Sequence, residues 1–105
     1  MTQPGVSVVV PVHNGERWLD EVLTAIIAQR DGRRFEIIAV DDGSTDRSPA
    51  ILAAWGATGD VRVLRSAKRG AAAAMNQGIR QALHPIICLV DQDVVLRPGW
   101  LAAVI

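Results

Sequence analysis

Asp91-Gln92-Asp93 sits directly behind an apolar run, Ile86-Ile87-Cys88-Leu89-Val90. Two carboxylates so close repel each other unless a positive charge lies between them, and hard divalent cations prefer oxygen ligands. Side chains at i and i+2 point to one side of an extended chain, so the pair could share one ion. A polar turn after a strand explains a bare Asp-x-Asp equally well, because the motif is short and common. Two further polar clusters follow apolar runs: Asp41-Asp42-Gly43-Ser44 closes Phe35–Val40, and His13-Asn14 closes Val6–Val12. A carboxylate at a strand end can accept a hydrogen bond from the imide N–H of uracil or thymine, or it can serve a capped turn. His13 could lie flat against such a ring or be a surface turn residue.

These clusters need strands to carry them. Ile86–Val90 is short, rich in branched residues and preceded by Pro85, which reads as a buried strand. Val6–Val10 is β-branched, and Pro11 is expected to end ladder pairing, so the first strand finishes near Val12. Phe35–Val40 reads as the second strand. Val61–Leu64 reads as a short third strand, nearer an edge because it alternates. Between them lie helical patterns. From Glu16 to Gln29, the residues Trp18, Leu19, Val22, Leu23, Ile26 and Ile27 form one apolar face, with Asn14 as the expected N-cap. Gly32 suits the end of that helix region. A second helix carries Ile51, Leu52 and Trp55, capped by Ser44 or Thr45, with Pro49 in its first turn and an end by Gly56. Gly70–Leu83 makes a third, with Met75, Ile79 and Leu83 aligned on one face before His84-Pro85 breaks it. Arg97-Pro98-Gly99-Trp100 opens a last helix, and Met1–Gly5 read as a loose tail.

Strands alternating with helices imply an α/β fold, a parallel sheet with helices on both faces. Ligands of open sheets bind beyond the carboxyl ends of the strands, where the strand order reverses. With the order 3-2-1-4, the reversal falls between strands one and four. Pro11–Asn14 then come beside Asp91 and Asp93. Three polar clusters at three strand ends favour the metal-and-ligand reading over three unrelated turns.

At 105 residues the chain reads as one domain, 1–105. Eleven basic and eleven acidic residues balance, so no basic nucleic-acid surface is indicated. The charges are unevenly spread, and Arg62, Arg65, Lys68 and Arg69 cluster closely enough to face a polyanion such as a diphosphate, or simply to be solvated. Cys88 is the single cysteine, which excludes an intrachain disulfide and suggests a buried thiol in a reducing, cytoplasmic setting. No apolar run reaches the roughly 18 residues of a membrane span, and the N-terminus lacks signal-peptide character. A Gly-x-Gly-x-x-Gly turn, a phosphate-binding Gly-Lys-Ser/Thr loop and a Gly-x-Ser-x-Gly elbow are all missing. Neither His13 nor His84 has zinc-recruiting spacing.

Val6–Asn14, Ile37–Asp46, Arg69-Gly70 with Asn76-Gln77-Gly78-Ile79, and Leu89–Asp93 with Pro98 together strongly resemble family 2 glycosyltransferases. The motifs follow in order, at the usual spacing, through nearly the whole chain. The resemblance implies the Rossmann-like GT-A fold and inverting transfer of a sugar from a UDP- or dTDP-sugar to an acceptor hydroxyl. It implies that Pro11, Val12 and His13 line the base, with His13 where the family usually has Tyr or Phe. Asp42 would bind the pyrimidine, and Lys68 and Arg69 would lie in the loop approaching the nucleotide. Asp91 would face the nucleotide and, with Asp93, form the metal motif. Asp93 is preferred as the direct ligand of Mg²⁺ or Mn²⁺ bridging the diphosphate.

Two departures stand out: Met75 replaces an Arg common in the family, and His84-Pro85 replaces a Gly-acidic pair. The family's acceptor-binding half and catalytic base lie further along than Ile105, so the chain reads as the nucleotide-binding part, truncated after Asp-x-Asp. The implied partners are a nucleotide diphosphate sugar and a carbohydrate or lipid-linked acceptor, with no nucleic-acid polymer. An unpaired edge on strand four would favour self-association. The expected location is cytoplasmic, either free or peripheral at the inner face of a membrane. Two alternatives are a non-catalytic nucleotide-binding or regulatory module and, ranked lower, a sugar-1-phosphate nucleotidyltransferase. The latter would carry a Gly-rich basic loop in place of Pro11–Asn14.

Overall fold

Eight elements follow in strict alternation in the computed structural model, which describes residues 3–105. They are β1 (Val6–Val12), α1 (Leu19–Ile27), β2 (Phe35–Asp42), α2 (Ser48–Ala57), β3 (Arg62–Ser66), α3 (Ala71–Gln81), β4 (Ile86–Leu89) and α4 (Trp100–Val104). The strands form one parallel sheet in the order β3-β2-β1-β4. The order reverses between β1 and β4, as the sequence predicts.

β1 and β2 are apolar at nearly every position because both faces are covered. Val6, Val8, Val10 and Val12 join Ile37 and Ala39 against Leu19, Val22, Leu23 and Ile26 of α1 and Leu52 of α2. Ile38 and Val40 face the other way, onto Ala74 of α3. Each fully buried Val, Leu or Ile contributes roughly 1.5–3 kcal/mol of transfer free energy, so the carboxyl ends of these strands rest on the main hydrophobic core of the molecule. Among the described residues, no helix is long and apolar enough to cross a membrane.

α3 packs differently from its apolar pattern. Its sheet-facing side is Ala74 and Gly78, both buried, whereas Ile79 is 37% and Leu83 74% exposed. Small residues win because the helix lies close on the sheet: a Cβ at Gly78 would stand 2.4 Å from Val9 Cγ1. β4 also departs from the expected buried strand. Only Val90, just past its end, is buried, while Ile87 and Leu89 are exposed on the side that α3 leaves uncovered. Among the described residues β4 pairs with β1 alone, which leaves its outer edge unpaired there. Cys88 is accordingly half-buried, on the other side of β4 with the α1 core, and burial raises its thiol above the ordinary range.

Pro11 acts on one side only. Ile86 N–H donates to the Gly5 carbonyl and Val90 N–H to the Val9 carbonyl, so odd-numbered residues of β1 face β4. Continuing this ladder would require an N–H at residue 11, which proline lacks. Pairing with β2 is unaffected and runs on through Val12↔Asp41. β1 and β4 therefore part at Pro11. Gly5 belongs to the fold rather than to a loose tail, since it is buried; Met1 and Thr2 of that expected tail lie outside the described residues.

Candidate functional site

Where β1 and β4 part, an open crevice of about 310 Å³ forms beyond the carboxyl ends of the strands. Pro11, Val12, His13, Asp42, Ala71, Asp91, Gln92 and Asp93 line it. Volumes of this order suit small-molecule sites. Six of the eight were singled out from sequence, drawn from three strand ends that are far apart in the chain.

The Pro11–His13 wall is tightly held. His13 Nδ1 donates to the Asp42 carbonyl at 2.9 Å, and Nε2 faces Asn14 Nδ2 at 3.5 Å. Asn14 does not cap α1. It adopts φ +50° and its Oδ1 accepts from Thr45 N–H at 2.8 Å and Asp46 N–H at 3.3 Å. The loop after β1 is thus sewn to the loop after β2, with Gly15 N–H on Ser48 Oγ and Glu16 N–H on Asp46 Oδ2. The start of α2 is served by Asp46, whose Oδ1 accepts from Ser48 N–H at 2.8 Å, rather than by Ser44 or Thr45.

The acidic pair divides its work. Asp41 accepts from Ser44 N–H at 3.2 Å and belongs to the turn. Asp42 is turned to the crevice and accepts from Arg69 N–H at 2.9 Å and Gly70 N–H at 2.8 Å. Burial acts to raise the Asp42 carboxyl; the Arg69 and Gly70 N–H groups, the Ser66 hydroxyl and nearby His13 outweigh it, leaving the pKa below the ordinary value of 3.8. A carboxylate offers about four lone-pair sites, so Asp42 retains capacity for a ligand donor. Its anchoring of the 66–70 segment, with Lys68 at φ +54° and Gly70 at φ +99°, has no signature in the local sequence.

Lys68 and Arg69 do not line the crevice. Lys68 lies over Gly43, within 2.9 Å of where a Cβ would stand, and the Arg69 side chain lines a separate groove. Arg69 reaches the crevice wall through its backbone N–H on Asp42.

Asp91 and Asp93 meet at the crevice for a reason other than strand extension. Val94 N–H donates to the Asp91 carbonyl at 3.1 Å, closing a turn with Gln92 and Asp93 at its centre. Gln92 pins that turn: its Oε1 accepts from His13 N–H at 2.8 Å and its Nε2 donates to the His13 carbonyl at 2.9 Å. A primary amide here replaces the peptide pairing that Pro11 interrupts. Sequence reasoning passed over Gln92, although an amide flanked by two carboxylates was the available signal. Both carboxylates are exposed and neither makes a protein hydrogen bond or ion pair among the described residues. An all-protein cage of three or more His, Cys, Asp or Glu is likewise absent among them. Two free carboxylates in an open crevice fit Mg²⁺ or Mn²⁺, ions held by one or two carboxylates together with substrate phosphates and water.

An open parallel sheet of order 3-2-1-4, with its crevice at the reversal point, is a Rossmann-like arrangement, and the solved structures it superposes on are GT-A glycosyltransferases. The comparisons agree. The family model described as glycosyl transferase family 2 matches residues 7–105, and the chain belongs to that family. It is similar to the glycosyltransferase GlyG of Streptococcus pneumoniae, at 42% identity over 91% of this chain and 32% of that protein. It also resembles the undecaprenyl-phosphate 4-deoxy-4-formamido-L-arabinose transferase of Pseudomonas paraeruginosa, at 40% identity over 89% of this chain and 29% of that one. Among solved structures, the mannosyltransferase PcManGT of Pyrobaculum calidifontis, in complex with GDP-Man and Mn²⁺, superposes with a TM-score of 0.88 at 30% identity, covering 97% of this chain and 31% of that one. TarS 1–349 of S. aureus, in complex with UDP-GlcNAc, gives 0.82 at 27% identity over 99% and 30%. The chain spans about a third or less of the length of these relatives.

Proposed function

We propose that these residues form the donor-binding half of an inverting glycosyltransferase, taking a nucleotide diphosphate sugar with a divalent cation. The observation that carries this reading is the meeting of two free carboxylates, Asp91 and Asp93, with Pro11–His13 and Asp42 in one crevice. Pro11, Val12 and His13 supply a flat wall for the base, and Asp42 supplies an acceptor for an imide N–H. Uridine is the preferred nucleoside and thymidine the second. Asp91 and Asp93 would hold Mg²⁺ or Mn²⁺, which when bound stabilises the charge gathering on the departing diphosphate as a Lewis acid. Gln92, bonded to both the N–H and the carbonyl of His13, holds the turn that carries the two carboxylates against the base wall. A carboxylate base must take the acceptor proton; in this reading it and the acceptor site lie outside residues 1–105. Of the two acceptor classes, carbohydrate and lipid-linked, the undecaprenyl-phosphate in the name of the Pseudomonas paraeruginosa relative supports the lipid-linked one.

Calorimetric titration with UDP, dTDP and GDP in the presence of Mn²⁺ tests the base assignment. UDP and dTDP are expected to bind comparably, to bind more tightly than GDP, and to weaken together in Asp42→Asn. Equal affinity for all three, unchanged in Asp42→Asn, contradicts it.

A further inference from the structure

On the far side of α3 from the crevice, a second groove of about 400 Å³ opens beside the end of β3. Arg65, Arg69 and Arg80 line it together with Ser66, Asn76 and Gln77. On α3 this is a consequence of spacing: Asn76, Gln77 and Arg80 lie one helical turn apart on one face, and Arg69 precedes them at the N-terminus. No carboxylate lines the groove. Among the described residues the three groove arginines make no ion pair, a property they share with Arg17, Arg34, Arg47 and Arg97; what sets them apart is that they line one concavity. The chain as a whole has a formal net charge of +0, so this is a local concentration of charge and not the edge of a basic surface.

Guanidinium groups gathered around one concavity repel each other unless an anion shares the space. The planar fork of arginine matches the oxygens of a phosphate in bidentate fashion, which lysine does not. The neutral partners are of the right kind as well. Gln77 Nε2 donates to the Arg65 carbonyl at 2.8 Å, tying the end of β3 to α3 and fixing the floor of the groove. The exposed Asn76 amide makes no hydrogen bond among the described residues and is free to donate. Ser66 and Arg69 belong at once to this groove and, through their contacts with Asp42, to the wall of the crevice.

We propose that this groove is an anion site for a phosphomonoester or diphosphate group, carried by a soluble ligand or by a lipid headgroup, and separate from the crevice. It stands on its own observations, whatever the crevice binds. The test is titration of the ¹⁵N-labelled chain with inorganic pyrophosphate in EDTA, which removes metal-dependent binding at Asp91 and Asp93. A parallel sedimentation assay uses vesicles of phosphatidylcholine with and without phosphatidic acid. Amide shifts centred on residues 65–67 and 76–80, away from the 69–71 amides at the crevice wall, or sedimentation that requires phosphatidic acid, support the site. The first result assigns a soluble phosphate and the second a headgroup. In Arg65→Gln/Arg80→Gln, whose side chains are exposed and outside the crevice, that binding is expected to weaken by roughly tenfold or more. An unchanged thermal midpoint controls for folding. Absence of both responses, shifts confined to residues 11–13 and 91–93, or binding unaltered in the double variant overturns the proposal.

Discussion

Gln92→Ala isolates the clamp that joins the Asp91–Asp93 turn to the Pro11–His13 wall. The substitution removes both hydrogen bonds to His13, at 2.8 and 2.9 Å, which join positions far apart in the chain. A typical hydrogen bond contributes about 0.5–1.5 kcal/mol net, and the freed His13 groups can turn to water, so the loss of stability should be about 1–2 kcal/mol. For a domain of this size that corresponds to a fall in Tm of roughly 5–10 °C. Urea unfolding followed by tryptophan fluorescence reads the stability, and titration with Mn²⁺ and UDP reads the site. Both should weaken, since loosening His13 separates the base wall from Asp91 and Asp93. Gln92→Glu keeps the acceptor for His13 N–H but sets a carboxylate oxygen against the His13 carbonyl. It should therefore be no better than alanine at neutral pH and should recover partly in acid. Unfolding midpoints and nucleotide affinities equal to wild type in both variants refute the role given to Gln92.

Three other outcomes follow from the packing and charges. Gly78→Ala, normally favourable in a helix, should destabilise by about 1–3 kcal/mol, because the new Cβ meets Val9 Cγ1 at 2.4 Å; calorimetric Tm checks it. Asp42 and Asp46 have carboxyls below the ordinary value of 3.8, burial raising both and hydrogen-bond donors outweighing it. A depressed folded pKa gives stability that is present in full above the unfolded value and lost as pH falls through the folded one. Urea midpoints should thus be steady near neutrality and fall below pH 3.8, less steeply in Asp46→Asn. The open edge of β4, with Ile87 and Leu89 exposed, should drive concentration-dependent association in sedimentation. Leu89→Lys should reduce it, and a strictly monomeric wild type at high concentration counts against this expectation.

Much of this architecture is legible in the sequence because two-sided burial forces continuous branched runs such as Val6–Val12 and Phe35–Val40. Polar residues then mark where those runs stop. The burial pattern does not fix the strand order; given the order 3-2-1-4, the juxtaposition of Pro11–His13 with Asp91 and Asp93 follows. Local patterns mislead where one face is covered unevenly. Met75, Ile79 and Leu83 have helical spacing, yet α3 turns Ala74 and Gly78 inward, because close approach to Val9 rewards small side chains. Asn14 looks like a helix cap, but a residue 31 positions away, Thr45, claims its side chain. Partners chosen by tertiary contact, such as Gln92 for His13 or Asp42 for the 66–70 segment, leave no periodic trace. Lys68 and Arg69 show the same limit, since being near in sequence to the crevice wall does not put their side chains inside it.

The most direct test of the donor-site account is calorimetric titration of UDP, with and without Mn²⁺, into the wild type and Asp91→Asn/Asp93→Asn. Both side chains are exposed and free of protein partners, so the double variant should fold normally. The account predicts UDP binding that requires Mn²⁺ in the wild type and is lost in the double variant. UDP binding that ignores both the metal and the two substitutions would contradict it.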